Sequence, residues 1–178
     1  AGAWRTWEPA GWLGAEVDGA ALGIVGFGRI GRALARRAQG FRMTVRSTAD
    51  TELDELLACS DYVSLHVPLT PRTRHLIDGA ALKRMRPTAI LVNTSRGAVI
   101  DQAALIEALR AGEIAAAALD VTDPEPPPPG DPVYDTPNLL VVPHIGSATH
   151  AARARMTELS VENLLAGLDG RAMPHPAG

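Results

Sequence analysis

Cysteine is nearly absent from this chain: the single Cys59 excludes an internal disulfide, and no Cys or His spacing suggests a bound metal. Aromatic residues are scarce at 4%. No apolar run approaches the roughly 20 residues that span a bilayer, and Ala1-Gly2-Ala3-Trp4-Arg5 lacks the basic-then-apolar layout of a secretory leader. These absences argue against a membrane partner and make a reducing cytoplasm the expected setting. A large excess of either charge is lacking too, and a net charge of -3 gives no electrostatic reason to bind nucleic acid or an acidic membrane. No Gly-x-Ser-x-Gly is present, which removes one signature of an acyl hydrolase. The first residue is not Met, so a trimmed product or an excerpt of a longer chain is expected. What remains is 178 residues, 46% hydrophobic and 21% charged, the size of one domain able to enclose a core.

The few aromatics are unevenly placed. All three tryptophans, Trp4, Trp7 and Trp12, fall within the first twelve residues. They fit either a helix packed on its own domain or a surface meant for something outside this chain. From Ala21 onward, β-rich runs alternate with helical patterns. Strands are expected at 21–25, 43–45, 62–66, 89–93, 115–120 and 139–142. Helices are expected at 29–39, with Ile30, Ala33, Leu34 and Ala38 inward, and at 53–59, 79–85, 101–110 and 149–168, Asp101 acting as a cap. The alternation predicts an α/β fold whose parallel sheet is covered on both faces. We divide the chain into a lead-in over 1–20 expected to be an interdomain helix, a dinucleotide-binding domain over 21–169, and an exit linker over 170–178.

Gly26-Phe27-Gly28-Arg29-Ile30-Gly31 fits G-x-G-x-x-G and lies between the first strand and first helix, where dinucleotide binding requires it. Gly26 permits the tight turn, Gly28 lets the backbone approach a pyrophosphate, and Gly31 lets helix and strand pack closely. The helix N-terminus supplies free N–H groups and partial positive charge. Where an NAD site usually carries an acid, at the end of the second strand, this chain reads Val45-Arg46-Ser47-Thr48. Arg46 with the Ser47 and Thr48 hydroxyls would welcome a 2'-phosphate, which favours NADP; in the alternative, Arg46 is a solvated charge and Asp50 serves NAD.

Three further segments end in residues suited to reducing a keto acid: Arg96 in Asn93-Thr94-Ser95-Arg96-Gly97, Glu125 in Asp120-Val121-Thr122-Asp123-Pro124-Glu125-Pro126, and His144 in Val142-Pro143-His144-Ile145-Gly146-Ser147. A fixed cation, a buried carboxylate and an imidazole can clamp a 2-oxo acid, polarise its carbonyl and pass it a proton. Each follows a predicted strand, so all three are expected at the C-terminal edge of the sheet, where open α/β sheets bind ligands. His66 either lines the cofactor cleft or is a satisfied structural histidine. His75, His150 and His175 read as surface residues.

With those residues in view, the chain resembles the nucleotide-binding domain of the D-isomer-specific 2-hydroxyacid dehydrogenases. The likeness runs from about Trp12 to Met173, through Leu22-Gly23-Ile24-Val25-Gly26, Val63-Ser64-Leu65-His66-Val67-Pro68-Leu69-Thr70, Val92-Asn93-Thr94-Ser95-Arg96-Gly97 and Pro143-His144-Ile145-Gly146-Ser147-Ala148-Thr149. Within the family, the segments around Glu125 and Asn163-Leu164-Leu165-Ala166-Gly167 look most similar to glyoxylate/hydroxypyruvate reductases. The resemblance implies a Rossmann-type doubly wound parallel sheet and NAD(P)H-dependent reduction of a small 2-oxo acid. It implies that Arg96 binds and polarises the substrate, that His144 is the acid/base, and that Glu125 orients and charges His144. It places Asp120, Gly146, Ser147 and His144 beside the nicotinamide, Thr94 in the cofactor cleft, backbone at Arg29 and Ile30 on the pyrophosphate, and Val67, Pro68 and Thr73 near the adenosine half. A homodimer is also implied.

Two departures stand out. Roughly ten residues, and with them a strand, are missing between Val45 and Asp61 relative to the family pattern. The family's separate substrate domain is absent as well, so this chain alone is expected to bind nucleotide but turn over poorly. Rival readings are a nucleotide-sensing corepressor-like module of the same fold, or a D-lactate or phosphoglycerate type of 2-hydroxyacid dehydrogenase. A formate dehydrogenase fits less well, because its histidine pairs with Gln rather than Glu.

Overall fold

In the computed structural model, which describes residues 6–11 and 13–176, short aliphatic runs pair into one six-stranded parallel sheet. The strands are β1 (Ala21–Val25), β2 (Thr44–Ser47), β3 (Tyr62–Leu65), β4 (Ile90–Asn93), β5 (Ala116–Leu119) and β6 (Leu139–Val141). Their order is β2-β1-β3-β4-β5-β6, so the chain winds outward to β2 and then back across β1. The direction of winding therefore reverses beside β1, and that reversal opens the crevice where such sheets bind ligands.

Helix α1 (Arg29–Ala38) packs on the face of Leu22 and Ile24 through Leu34, Ala35 and Ala38. Helices α2 (Leu53–Cys59), α3 (Gly79–Arg84) and α4 (Gln102–Ala111) build the larger core on the other face, around Leu56, Leu57, Leu82, Leu91 and Leu105. Truncating any of these fully buried leucines to Ala would cost about 2–5 kcal/mol. The caps follow local chemistry: Asp78 accepts from the amides of Ala80 and Ala81, and Asp101, as expected, accepts from that of Ala104. Helix α5 (His150–Leu168) is capped by Thr149.

The strand and helix boundaries lie within two residues of the sequence expectation, but four features differ. The lead-in shows turns and extended chain over 6–11 and 13–20 rather than a helix, because Pro9, Gly11, Gly14 and Gly19 interrupt it. Trp4 and Trp12 lie outside the described residues, and Trp7 is exposed. Ile30 faces outward at 66% exposure instead of joining the inner side of α1. The sheet is covered on both faces only over part of its width. Over β4, β5 and β6 one face stays open, with Ile90, Ala116 and Ala118 only half-buried and Leu140 at 61% exposure. The physical reason is connectivity. The link from β5 to β6 is a proline-rich loop holding one short turn of helix at Pro132–Tyr134, and α5 buries only Ala166.

The tail does not simply run away from the domain. Asn163 grips the backbone of His175 through two hydrogen bonds, 2.5 and 2.9 Å, and the His175 ring meets Glu162 at 2.7 Å.

Candidate active site

The glycine turn places the N-terminus of α1 in the crevice. Gly26 has φ +95°, and a Cβ there would meet the backbone of His66 at 2.7 Å, so a side chain is excluded twice over. A Cβ on Gly31 would collide with the carbonyl of Gly26, which is how close helix and strand lie. No side chain caps the first turn of α1 at Gly28, and no acid sits in that turn. Its amides therefore remain available to an anion.

Arg29, Ile30, His66, Val67, Pro68, Leu69, Thr94, Ser95 and Arg96 line a cleft of about 610 Å³ in front of that turn. This brings Arg29, Ile30, Val67, Pro68, Thr94 and Arg96 together, as the sequence suggested. The Arg96 guanidinium donates to the Ser95 carbonyl at 2.6 Å. Its loop is braced by Asn93, which is fully buried, accepts from Ser95 and donates to the Arg96 carbonyl at 2.9 Å. Gly97 is required next, because a Cβ there would run into the backbone of Thr122. Thr73 is occupied within its own loop, donating to the Pro68 carbonyl at 2.6 Å.

At the C-terminal ends of β5 and β6 a second cavity of about 410 Å³, which shares no lining residue with that cleft and so holds Glu125 and His144 apart from Arg96, is lined by Asp120, Thr122, Glu125, Pro126, Tyr134, Val141 and His144, among others. Here His144 Nδ1 lies 2.6 Å from Glu125 Oε1. An ionised carboxylate only accepts, so Nδ1 carries the shared proton and Nε2 is left as the ring's working atom. The expectation of a buried carboxylate is corrected: the Glu125 side chain is 40% exposed and that of His144 50%. The proline-rich loop carries Glu125 along an open rim of the domain, where nothing else covers it. His144 itself adopts φ +53°, a left-handed conformation that costs a non-glycine residue about 1 kcal/mol or more.

What holds that conformation was not visible in the sequence. Asp120, 7% exposed at the end of β5, accepts the Ile145 amide at 2.6 Å and the Gly146 amide at 2.9 Å. It is a buttress for the His144 turn as well as a wall of the cavity. Ser147 is exposed on the same turn.

The segment after β2 departs most from expectation. Register sets Arg46 opposite Gly23, whose missing side chain would point at Leu56 and Ser60 of α2. Arg46 thus lies on the α2 face, 3.4 Å from Glu55 Oε1. The two hydroxyls are engaged as well: Ser47 Oγ lies 3.0 Å from Asp50 Oδ1, and Thr48 accepts the Gly26 amide at 3.0 Å. The carboxylate at this end of β2 is that of Asp50.

His66 is half-buried, and its Nε2 meets the hydroxyl of Ser64 at 2.9 Å. Burial holds its pKa below the ordinary histidine value. No group of three or more potential metal ligands occurs among the described residues. No helix among them is long and apolar enough to cross a membrane.

A glycine turn opening a helix at the winding reversal, with an oriented imidazole on the same sheet edge, defines a dinucleotide-binding domain of the dehydrogenase class. More particularly, the chain belongs to the D-isomer specific 2-hydroxyacid dehydrogenase family, whose NAD binding domain matches residues 1–146. It is 49% identical over 189 residues to a glyoxylate reductase of Korarchaeum cryptofilum, covering 98% of this chain and 57% of the relative. A glyoxylate/hydroxypyruvate reductase B of Pectobacterium atrosepticum is 46% identical over 186 residues, covering 96% of this chain and 58% of the relative. The crystal structure of the TT0316 protein from Thermus thermophilus superposes with a TM-score of 0.93 at 49% identity, covering 99% of this chain and 60% of that one. The chain thus spans little more than half the length of these relatives. The first alignment is also longer than the 178 residues here, so that relative carries residues that this chain lacks within the matched span.

Proposed function

We propose that the protein reduces a small 2-oxo acid of the glyoxylate or hydroxypyruvate type to the D-2-hydroxy acid, with NADH or NADPH as reductant. The observation that carries this reading is the 2.6 Å pairing of His144 Nδ1 with Glu125 Oε1 on the same sheet edge as the α1 turn. The residues fit a dinucleotide. The uncapped amides of α1 suit a pyrophosphate, and a Cβ on Gly28 would meet nothing within 4 Å, so the approach to them is open. Backbone at Arg29 and Ile30 would hold the phosphates, Val67, Pro68 and Thr73 would border the adenosine half, and Thr94, Asp120, Gly146 and Ser147 the nicotinamide half.

A reduced nicotinamide, when bound, supplies the hydride for the substrate C2. Arg96 binds the 2-oxo acid and stabilises the negative charge that develops on its oxygen. His144 delivers the proton to that oxygen from Nε2, and Glu125 fixes the ring by its Nδ1. Between the two coenzymes, the geometry supports NAD: Arg46 is turned to Glu55, and Asp50 would repel a 2'-phosphate. We assign a cytoplasmic setting from the lone cysteine, and a second copy of the chain as partner from the exposed Leu164 and Leu168 on α5.

The test has two arms. NADH binding is measured by quenching of protein fluorescence, and NADH oxidation is followed with glyoxylate and hydroxypyruvate. The full-length wild type is expected to bind and to oxidise NADH, and its His144→Gln variant to keep binding while losing about 10²–10⁴ in rate; these 178 residues alone are expected to bind with little turnover. Binding without oxidation of NADH by either acid in the full-length protein would replace the enzyme reading with the binding-module one.

A further inference from the structure

The imidazole of His66 lies at the back of the cleft and plays no part in the proton transfer assigned to His144. Its backbone abuts Gly26, so the ring belongs to the same turn that presents the α1 amides. Register fixes its side. Ser64 pairs with Ile24, whose side chain faces α1, and His66, two residues on, extends along that face. Ser64, 6% exposed, tethers one ring nitrogen at 2.9 Å. The other nitrogen has no protein partner among the described hydrogen bonds.

The charged groups bordering the cleft are Arg29 from α1 and Arg96 from the loop after β4; the loops after β1 and β3 bring none to it. In the unliganded cleft partial burial opposes a proton on the ring. A bound pyrophosphate would bring negative charge into the same cleft and favour that proton.

We propose that His66 is a coenzyme-contacting residue that takes up a proton as the dinucleotide's pyrophosphate arrives, making nucleotide binding tighter on the acid side of neutrality. The inference rests on the coenzyme cleft assigned above. Protonation is a second-site event on the ligand's phosphate side, separate from the chemistry at His144. It falls on whichever dinucleotide is bound, since the pyrophosphate is common to NAD and NADP.

The experiment uses ADP-ribose, which carries the pyrophosphate without the nicotinamide and so leaves His144 unengaged. Calorimetric titrations near pH 7 in two buffers of different ionisation enthalpy read the protons exchanged per ligand bound. Net uptake of part of a proton is expected in wild type and its loss in His66→Gln, checked for fold by circular dichroism. Independently of any variant, NMR of the five histidines should show the one that titrates below the ordinary range moving up by about one pH unit on saturation. Binding without proton uptake, uptake unchanged in a folded His66→Gln, or a low-titrating ring that does not move would each overturn the proposal. Failure of both ADP-ribose and NADH to bind would instead overturn the coenzyme cleft itself.

Discussion

Gly146 approaches Asp120 so closely that a Cβ on the glycine would lie 2.7 Å from Oδ2, the oxygen that already accepts the Gly146 amide at 2.9 Å. The pair turns a buried carboxylate into the clamp for the His144 turn. Gly146→Ala must push Asp120 aside, and is expected to destabilise the fold by about 1–3 kcal/mol. In a chain of this size that is a drop in Tm of roughly 2–10 °C. A thermal melt checks it, and an unchanged Tm would mean that the turn yields freely.

In the proposed reaction Glu125 acts through His144. Glu125→Gln keeps a hydrogen-bonding group of the same shape but removes the charge, and its amide can present either an oxygen or an NH2 to Nδ1. The rate of 2-oxo acid reduction is expected to fall by about 10²-fold, with little change in NADH affinity. The loss should fall on kcat and leave the KM for the 2-oxo acid nearly unchanged, which a merely structural role for Glu125 would not produce.

Coenzyme choice tests the geometry after β2. Arg46→Ala breaks only an exposed pair with Glu55, so the ratio of NADH to NADPH affinity should stay within about twofold. Asp50→Ser removes the carboxylate at the β2 terminus and should improve NADPH relative to NADH by about tenfold. A large effect from Arg46 and none from Asp50 would reverse the assignment.

Stability should fall in two stages as pH drops. His66 is held below the ordinary histidine value near 6.5 by burial, so the unfolded chain binds the proton first. Its contribution is present above about pH 6.5 and lost below it, and His66→Gln should flatten that stage. Asp61 is held below the ordinary carboxylate value of 3.8 mainly by the Ala21 amide, helped by Arg86. Its contribution is present above that value and lost as pH falls through it, and Asp61→Asn should diminish that second stage. Urea midpoints across the pH range read both.

The sheet was legible because short continuous aliphatic runs, helical apolar spacing and a glycine turn are local signals, and each strand and helix from β1 onward could be recognised from them. The His144–Glu125 pairing was legible only through the resemblance, since nothing in a proline-rich loop says where its carboxylate will land. The roles of Asp120 and Gly97 were not legible. Each depends on a contact between segments at least 20 residues apart, Asp120 with the Gly146 amide and Gly97 with the Thr122 backbone. Arg46 could not be placed from sequence alone, because spacing does not reveal on which side of an edge strand a side chain emerges. Register with Gly23 decides that, and it turned Arg46 toward α2.

The strand order has a further consequence. With β2 outermost, any shortening beyond it trims the sheet's periphery and leaves the strands flanking the reversal untouched. The hinge of the winding, and hence the location of the nucleotide, is fixed by the innermost strands. Families built this way can lose or gain margin without relocating their chemistry, while the group that reads the far end of the ligand passes to whatever residue the shortened border leaves there.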